Sequence, residues 1–387
     1  MSLAPLPYGR QSISDADVEA VTAALRSDLI TQGPLVERFE RAVASYLGAA
    51  HTVAFSSGTA ALHAAAHASG IGDGDEVLTT PITFAASANC ALYVGARPRF
   101  VDIDPSTWNL DAHAAVRAAD ERTRAVIPVS FAGLPADLEP LQELRSRGVV
   151  VIEDACHAIG AIRDGRRVGG PGGADMTVFS FHPVKTMTTG EGGMVTTEDP
   201  EYARRLRAFR THGIVRDGMS PSALEGAWYY EMQSLGFNYR ITDVQCALGL
   251  SQLERLDEFV ARRNEIAARY RELLAGDSRT GLPPAAPIGS LHGHHLFPIQ
   301  VRAGAAARLA LFESLRAAGI GVQVHYIPVY RLPFYRDELG YPQGDCPGAE
   351  DFYWGAISLP IFPAMSDADA ERVVREVQSA LPVHLAA

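Results

Sequence analysis

The feature that most constrains the fold is an alternation of short apolar runs and helical segments along the first half of the chain. The stretch "HTVAFSSGTAALHAAAHASG" passes from a strand pattern through a turn into an alanine-rich helix. Three further units of the same kind follow: "DEVLTTPITFAASANCALYVG", "RPRFVDIDPSTWNLDAHAAVRAA" and "TRAVIPVSFAGLPADLEPLQELRSRG". Strands that alternate with helices predict an α/β fold, with a mostly parallel sheet covered on both faces.

The later sequence predicts a second, smaller domain. Ser14 is a suitable N-cap for an opening helix, so we expect a large α/β domain over 14–250. A long helix near 243–275 links it to an α+β domain over 251–387. That region contains the strand-like stretches "HHLFPIQV" and "GVQVHYIPV" and the helical stretches "ARLALFESLRAAG" and "SDADAERVVREVQSAL".

Composition narrows the class of protein. The 387 residues are 47% hydrophobic and carry a formal net charge of −11, which argues against a nucleic-acid or anionic-membrane binder because such partners need a basic surface. No run of eighteen apolar residues and no signal-peptide pattern is found, and the four cysteines are scattered. We therefore expect a cytoplasmic protein with free thiols.

A lysine in "FSFHPVKTMTTGEGGMVTT" is the main candidate for chemistry. Lys185 follows Ser180 by five residues, and Asp154 lies near the end of the apolar run in "VVVIEDACH". Ligands of open α/β sheets bind at the carboxyl ends of the strands, where Ser57, Asp154 and Ser180 are expected. Ser57, Asp154 and Ser180 are therefore predicted to lie near one another.

These residue types suit pyridoxal phosphate (PLP). That cofactor needs a lysine for a Schiff base, an aspartate beside its ring nitrogen, and hydroxyl or amide donors for its phosphate. Lys185, Asp154 and Ser180 fit these roles in that order. Gly58 and Thr59, in "SSGTAAL", add amides at a helix start that favour an anion. We predict a PLP-binding site in which Lys185 is catalytic.

The succession of motifs resembles the DegT/DnrJ/EryC1/StrS aminotransferases, fold-type-I PLP enzymes that aminate nucleotide-linked keto sugars. The matching stretches, in the family's order, are "SSGTAAL", "TTPITFAASAN", "EDACHAIGA", "FSFHPVKTMTTGEGGMV", "GFNYRITDVQCALGLSQL" and "HYIPVY". The resemblance implies that Phe84 stacks on the cofactor ring and that His157 lies near its phenolic oxygen. It also implies that Asn238, with Arg240 close by, reaches the cofactor of a neighbouring subunit, and hence a homodimer with shared active sites.

The resemblance also favours one reaction and one branch of the family. A dehydrating branch has histidine where the transaminases have the Schiff-base lysine, so "HPVK" favours transamination, with L-glutamate as the donor by analogy. The chain most resembles the branch that aminates C4 of a UDP-linked 4-keto-6-deoxy-N-acetylhexosamine on the way to pseudaminic acid. In that branch His325 and Tyr326 would lie at the pocket mouth and contact the sugar nucleotide.

Other functions stay open at this point. Within the fold, the substrate could instead be a dTDP- or GDP-linked 4-keto sugar, a 3-keto sugar or a cyclitol. A non-catalytic PLP-binding regulator is an alternative of another class, although no DNA-binding segment precedes the first helix. A nicotinamide-dependent oxidoreductase is disfavoured because no GxGxxG fingerprint is present. His325 and Tyr326 could also be core residues of the smaller domain.

Two further polar stretches have structural alternatives. "LHGHHL", with His292, His294 and His295, resembles a metal-binding tract, but it lacks carboxylate or cysteine partners and the spacing of a zinc helix. No metal is therefore expected. Tyr229 and Glu231 are either solvated loop residues or shape the substrate pocket.

Overall fold

The computed structural model describes residues 4–215 and 226–381. Its helices are α1 (Asp15–Leu25), α2 (Pro34–Leu47), α3 (Gly58–Ala68), α4 (Ala86–Tyr93), α5 (Ala112–Ala118), α6 (Gln142–Ser146), α7 (Pro200–Arg210), α8 (Asp243–Glu254), α9 (Leu256–Leu273), α10 (Gly304–Ala317), α11 (Pro347–Gly355) and α12 (Asp367–Ala380). Short 3-10 turns lie at Phe131–Gly133 and Val329–Arg331, and a π-helical turn lies at Phe334–Glu338. The last six residues of the predicted second domain, 382–387, lie outside the described residues.

The strands are β1 (His51–Phe55), β2 (Glu76–Thr79), β3 (Arg97–Phe100), β4 (Thr123–Ile127), β5 (Val150–Asp154), β6 (Ile162–Arg163), β7 (Arg166–Arg167), β8 (Met176–Ser180), β9 (Gly193–Thr197), β10 (Ile214–Val215), β11 (Glu231–Met232), β12 (Thr280–Gly281), β13 (Phe297–Val301) and β14 (Ala356–Leu359). Seven of them form the main sheet in the order β1-β9-β8-β5-β4-β2-β3. Only β9 runs antiparallel to its neighbours there. The predicted α/β fold with a mostly parallel sheet is therefore confirmed.

Helices cover both faces of this sheet. Successive side chains of a strand point to opposite faces, and here the side chains on both faces are apolar and buried. Val53 and Phe55 of β1 pack into one core with α3, α4 and α7, whereas Ala54 between them packs on the other face with α2 and α8. Similarly, Val77 of β2 joins the first core and Leu78 joins a third core beneath α5 and α6. Strands buried on both faces explain the continuous apolar runs in the sequence.

The C-terminal part has its own core around a three-stranded antiparallel sheet, β12-β13-β14. Apolar residues of α9, α10 and α12 pack there with residues of β13 and β14. The N-terminal segment joins this part of the fold, because Leu6 pairs in parallel with Ile320 and its amide donates to the carbonyl of Gly319 at 2.9 Å. Among the residues described, no helix combines the length and apolar character needed to cross a bilayer.

Two of the predicted elements are wrong. The segment near 243–275 forms two helices, α8 and α9, that meet at Arg255, where φ is −107° and ψ is 6°. The stretch "GVQVHYIPV" is not a strand, because its sheet pairing is a single bridge between Gln323 and Ser358. Ser14 does cap α1, in a capping box with Asp17.

Candidate active site

A cavity of about 640 Å³ lies where β5 and β8 end and α3 begins. Nine of the eleven site residues predicted from the sequence line it: Gly58, Thr59, Phe84, Asp154, His157, Ser180, Lys185, His325 and Tyr326. The cavity is therefore at the carboxyl edge of the parallel strands, where the α/β topology leads us to expect a ligand. The other two predicted residues, Asn238 and Arg240, do not line it.

One end of the cavity is suited to an anion. Ser57 caps α3 by accepting a hydrogen bond from the Ala60 amide at 3.1 Å, and the helix begins at Gly58. The amides of Gly58 and Thr59 belong to the first turn, where they have no acceptor within the helix, and the helix dipole is positive there. A Cβ on Gly58 would lie 2.8 Å from the Cβ of Ser180, so only glycine lets the helix start approach β8 this closely.

A buried carboxylate lines the same cavity. Asp154, at the end of β5, is 5% exposed, and the hydroxyl of Ser87 donates to its Oδ2 at 2.6 Å. The Cys156 amide donates to Oδ1 at 3.1 Å, and the hydroxyl of Thr83 is within 2.7 Å of that of Ser87. These donors fix the orientation of the carboxylate in the cavity wall.

Lys185 follows β8 in a turn closed by its own amide, which donates to the carbonyl of His182 at 2.8 Å. Burial lowers the pKa of the Lys185 amine, while the nearby Cys156 and Asp154 act in the opposite direction. The net shift is downward, so a larger fraction of the amine is uncharged at neutral pH than for a surface lysine. Lys185 is also the only lysine of the chain.

His157 links the two parts of the molecule. Its Nδ1 accepts a hydrogen bond from the Ala132 amide at 3.3 Å, and its Nε2 lies 3.1 Å from the hydroxyl of Tyr326. Burial, together with the charge of Lys185, holds the pKa of His157 well below its ordinary value, so the ring is neutral. Because Nδ1 accepts, the ring hydrogen is on Nε2 and is donated to Tyr326. The Tyr326 hydroxyl hydrogen is thereby left for another acceptor.

His325 is held beside Tyr326 in the same wall. Its Nδ1 lies 2.9 Å from the hydroxyl of Ser358 in β14, and its side chain is 8% exposed. Burial, with a contribution from Lys185, lowers the pKa of His325 to about 3. The ring of Tyr8, from the N-terminal segment, lies 5.6 Å from that of His325. The two histidines described so far, His157 and His325, are therefore both neutral.

The remaining predicted residues are at or beyond the edge of the cavity. Phe84 is 62% exposed and its ring centroid is 6.4 Å from that of Tyr326, which leaves its face available. Asn238 is exposed and pairs with Thr211 through one bridge. Arg240 lines a different pocket beside the start of α2. Within one chain, therefore, Asn238 and Arg240 are not brought together with Lys185.

Sequence reasoning missed several residues that line the cavity, among them Tyr8, His182, Glu191 and His295. Glu191 and His182 flank Lys185 in the quoted loop and could have been found from that proximity. His295 was considered only as part of a metal tract, and the described residues contain no group of three or more His, Cys, Asp or Glu placed to hold a metal. The position of Tyr8 could not be predicted from the sequence, because it depends on the pairing of the N-terminal segment with Ile320.

The geometry fits PLP by observations on this chain. An anion site at the start of α3, a buried carboxylate and a buried lysine with a lowered pKa all face one cavity. The close approach of Gly58 to Ser180 provides a backbone cradle that a side chain would fill. A phosphate, a ring nitrogen and a carbonyl carbon are the three groups that such a set binds.

Comparison with known proteins gives the family. The family model described as "DegT/DnrJ/EryC1/StrS aminotransferase family" matches residues 11–378. The spore coat polysaccharide biosynthesis protein SpsC of Bacillus subtilis is 40% identical over 378 residues, which cover 96% of each chain.

Solved structures agree. The fold matches Helicobacter pylori PseC, an aminotransferase of pseudaminic acid biosynthesis, with a TM-score of 0.89 and 31% identity, over 97% of this chain and 99% of that one. It matches DesI, solved with its TDP-sugar product, with a TM-score of 0.86 and 32% identity, over 97% and 93% of the two chains. It also matches the putative sugar aminotransferase Spr1654 of Streptococcus pneumoniae, solved in PLP and PMP forms, with a TM-score of 0.90 and 30% identity, over 98% of this chain and 100% of that one for the PLP form. The chain belongs to the DegT/DnrJ/EryC1/StrS family and is a PLP-dependent sugar aminotransferase of nucleotide-sugar pathways.

Proposed function

We propose that the enzyme transfers an amino group from L-glutamate to C4 of a UDP-linked 4-keto-6-deoxy-N-acetylhexosamine. The observation that carries the assignment of the site is that Lys185, Asp154 and the first turn of α3 line one cavity. The choice of sugar is supported by the likeness to PseC. A dTDP-linked keto sugar is the competing substrate, because DesI, of similar fold, has a TDP-sugar product.

The cofactor would be held by the residues described above. Ser180 and the amides of Gly58 and Thr59 would bind its phosphate, Asp154 would pair with its ring nitrogen, and Lys185 would bind its carbonyl carbon. Phe84 would stack on the face of the cofactor ring, and His157 would lie near its phenolic oxygen. When bound, PLP supplies an electron sink that stabilises negative charge developing at the substrate carbon.

Lys185 would move the proton in both halves of the reaction. Because burial lowers the pKa of its amine, Lys185 can accept a proton from the donor carbon at neutral pH once the incoming amine has displaced it. Lys185 would then deliver the proton to the carbonyl carbon of the cofactor rather than back to the donor carbon, so that the amino group stays with the cofactor. No other lysine exists in the chain to replace it.

The second substrate would be oriented by the wall that carries His325 and Tyr326. His325 is neutral at physiological pH, so it contributes hydrogen bonding without a charge. The hydroxyl hydrogen of Tyr326 is free because its oxygen already receives the hydrogen of His157 Nε2. A neutral donor at this position suits the uncharged oxygens of a keto sugar, and binding of the sugar also restricts the reacting atoms to one geometry.

The proposed enzyme is a homodimer in which each active site uses both chains. Asn238 and Arg240 would reach the phosphate end of the partner's cofactor, and this is supported by their distance from the cavity of their own chain. Large apolar side chains are exposed in the same segment, among them Trp228, Leu235 and Phe237. Such a patch is typical of a protein interface. The cytoplasmic location expected from the sequence is part of the same proposal.

The substrate assignment is tested by comparing turnover on two keto sugars with L-glutamate as the donor. We expect the ratio kcat/KM for a UDP-linked 4-keto-6-deoxy-N-acetylhexosamine to exceed that for dTDP-4-keto-6-deoxyglucose by about 100-fold. A polar pocket built for the acetamido group loses hydrogen bonds when the group is absent. A preference for the dTDP sugar would exclude the UDP assignment and leave the transaminase intact.

The glutamate half-reaction distinguishes an enzyme from a PLP-binding regulator. Adding L-glutamate to the PLP-loaded protein should change its visible absorption as the amino group is transferred, and 2-oxoglutarate should form in an amount equal to the protein. D-glutamate is the matched control. A protein that binds PLP without this change would be a regulator of the kind considered from the sequence.

A further inference from the structure

His295 faces the cavity and is not assigned a role in the proposed reaction. It lines the cavity wall, its side chain is 5% exposed, and its ring centroid lies 4.5 Å from that of His157, with 41° between the planes. The residue comes from the loop that leads into β13. It therefore reaches the cavity from the C-terminal part of the fold, as do His325 and Tyr326.

The backbone around His295 is fixed at both ends. The Gly293 amide donates to the carbonyl of Gly133 at 2.8 Å, and the Leu296 amide donates to the carbonyl of Ala132 at 3.2 Å. In the same turn, the Ala132 amide donates a hydrogen bond to Nδ1 of His157. One short segment, Phe131–Gly133, therefore binds both the ring of His157 and the backbone near His295.

A buried arginine binds the same loop. Arg263 of α9 is fully buried, and its Nη1 donates to the carbonyl oxygens of His294 at 3.1 Å, His295 at 3.3 Å and Ile361 at 2.8 Å. Within residues 4–215 and 226–381, no carboxylate pairs with it, and its Nε and Nη2 have no hydrogen-bond partner. A buried positive charge without an anion creates a strong local field.

That field selects the tautomer of His295. Burial, with the charges of Lys185 and Arg263, holds the pKa of His295 well below its ordinary value, so its ring is neutral and has one hydrogen. Nδ1 is buried without a partner in the described part of the chain, and it is the ring nitrogen nearer the backbone that Arg263 binds. A lone pair is favoured there and an N–H is repelled. The hydrogen is therefore favoured on Nε2, the other ring nitrogen of a side chain that lines the cavity.

We propose that His295 is a further substrate-contacting residue, whose Nε2–H donates a hydrogen bond to an oxygen of the keto sugar. This inference rests on the proposed function, because it takes a keto sugar as the second substrate. Arg263 is a positioning residue that acts through His295. The ligand class is a neutral oxygen acceptor, since the wall formed by His295, His325 and Tyr326 has no positive charge of its own.

Three substitutions at His295 separate the two ring nitrogens. Glutamine keeps an N–H near the position of Nε2, asparagine keeps one near Nδ1, and leucine keeps neither. His292→Asn is the matched control, because His292 is buried in the same loop, does not line the cavity, and uses its Nδ1 to accept from the His294 amide at 2.8 Å. Asparagine can supply that acceptor.

The PLP-loaded variants are compared in KM for the keto sugar, in calorimetric affinity for the UDP-amino sugar product, and in the rate of the glutamate half-reaction. Loss of one hydrogen bond predicts about a tenfold weaker sugar affinity for His295→Leu and His295→Asn. We expect His295→Gln and His292→Asn to stay close to wild type and all four to keep the glutamate rate. Thermal melting checks that each is folded.

Two results would overturn the inference: equal losses in His295→Gln and His295→Leu, or a parallel fall in the glutamate half-reaction, which would indicate a contact to the cofactor. Failure of the proposed substrate is recognised separately, because it is measured on the wild type. If wild type aminates the dTDP sugar and not the UDP sugar, the substrate assignment fails. The same variants are then compared on the dTDP sugar and its amino product, and the prediction for His295 is unchanged.

Discussion

The pKa of Lys185 is lowered by burial, and this shift matters because the amine must be uncharged both to bind a carbonyl carbon and to accept a proton. Asp154 and Cys156 limit the shift by favouring the charged form. The balance of the two effects makes Lys185 usable near neutral pH without making it permanently neutral. A lysine on the surface of the same fold would be protonated almost completely.

Replacing Lys185 tests this reasoning directly. Lys185→Ala should reduce turnover by several orders of magnitude, on the order of 10³-fold or more, because the nucleophile and the proton carrier are lost together. Borohydride reduction of the PLP-loaded wild type should fix cofactor on Lys185, since the chain has no other lysine. Lys185→Arg is the control that keeps a positive charge, and it should be equally inactive. Substantial turnover by either variant would contradict the role.

At the scale of single elements, the start of α3 shows how the sequence places a binding group. Ser57 is a suitable N-cap and Gly58 follows it, so the helix start could be predicted from "SSGTAAL". What could not be predicted is that Ser180 of β8 lies against Gly58, because the contact joins residues that are far apart in the chain. The glycine is required by that contact and not by a positive φ.

Gly58→Ala should therefore weaken both stability and PLP affinity. The added Cβ would lie 2.8 Å from the Cβ of Ser180 and 3.1 Å from its hydroxyl, so α3 or β8 must shift. Overpacking of this kind costs about 1–3 kcal/mol. Gly72→Ala is the control, because a Cβ there meets only the carbonyl oxygen of Val94 at 4.0 Å. PLP titration and urea unfolding measure the two effects, and equal behaviour of both variants would refute the contact.

The two elements that sequence reasoning got wrong have tertiary causes. The helical pattern near 243–275 continues through Arg255, yet the side chain of Arg255 pairs with the buried Asp17 of α1, and the backbone leaves the helix there. The stretch "GVQVHYIPV" has a strand pattern, but beyond Gln323 it leaves the sheet and Tyr326 reaches His157. A local sequence pattern contains no information about either of these long-range contacts. The βα units could be predicted because each of them has its own hydrophobic periodicity.

For the whole molecule, buried neutral histidines predict sensitivity to acid. Six of them have lowered pKa values because of burial: His63, His157, His292, His294, His295 and His325. For His294 and His325 the pKa is about 3, against 6.5 for an unperturbed histidine. Below pH 6.5 the unfolded chain therefore binds protons that the folded chain does not, and stability falls as the pH falls.

Each such histidine contributes a slope of up to about 1.4 kcal/mol per pH unit between its folded and unfolded pKa. We expect the urea midpoint of the PLP-loaded enzyme to fall steeply between pH 6.5 and pH 5. His294→Asn removes one of these groups outside the cavity. The decline in stability with falling pH should therefore be shallower by the slope that one histidine contributes. A midpoint that does not change over this range would contradict the buried neutral state.

The last prediction concerns the assembly. Asn238 and Arg240 lie away from the cavity of their own chain, and we propose that they complete the partner's site. Lys185→Ala and Asn238→Ala should each be inactive as pure dimers. In a mixed dimer, one site combines the intact Lys185 of one chain with the intact Asn238 of the other, and the second site lacks both.

Random mixing makes half of the dimers mixed, with one working site of two, so unfolding and refolding the variants together should restore about a quarter of wild-type activity. Lys185→Ala refolded with itself is the control. Mass spectrometry of differently tagged chains shows whether mixed dimers form. If they form in the expected proportion and remain inactive, each site is contained in a single chain, and the exposed position of Asn238 must have another explanation.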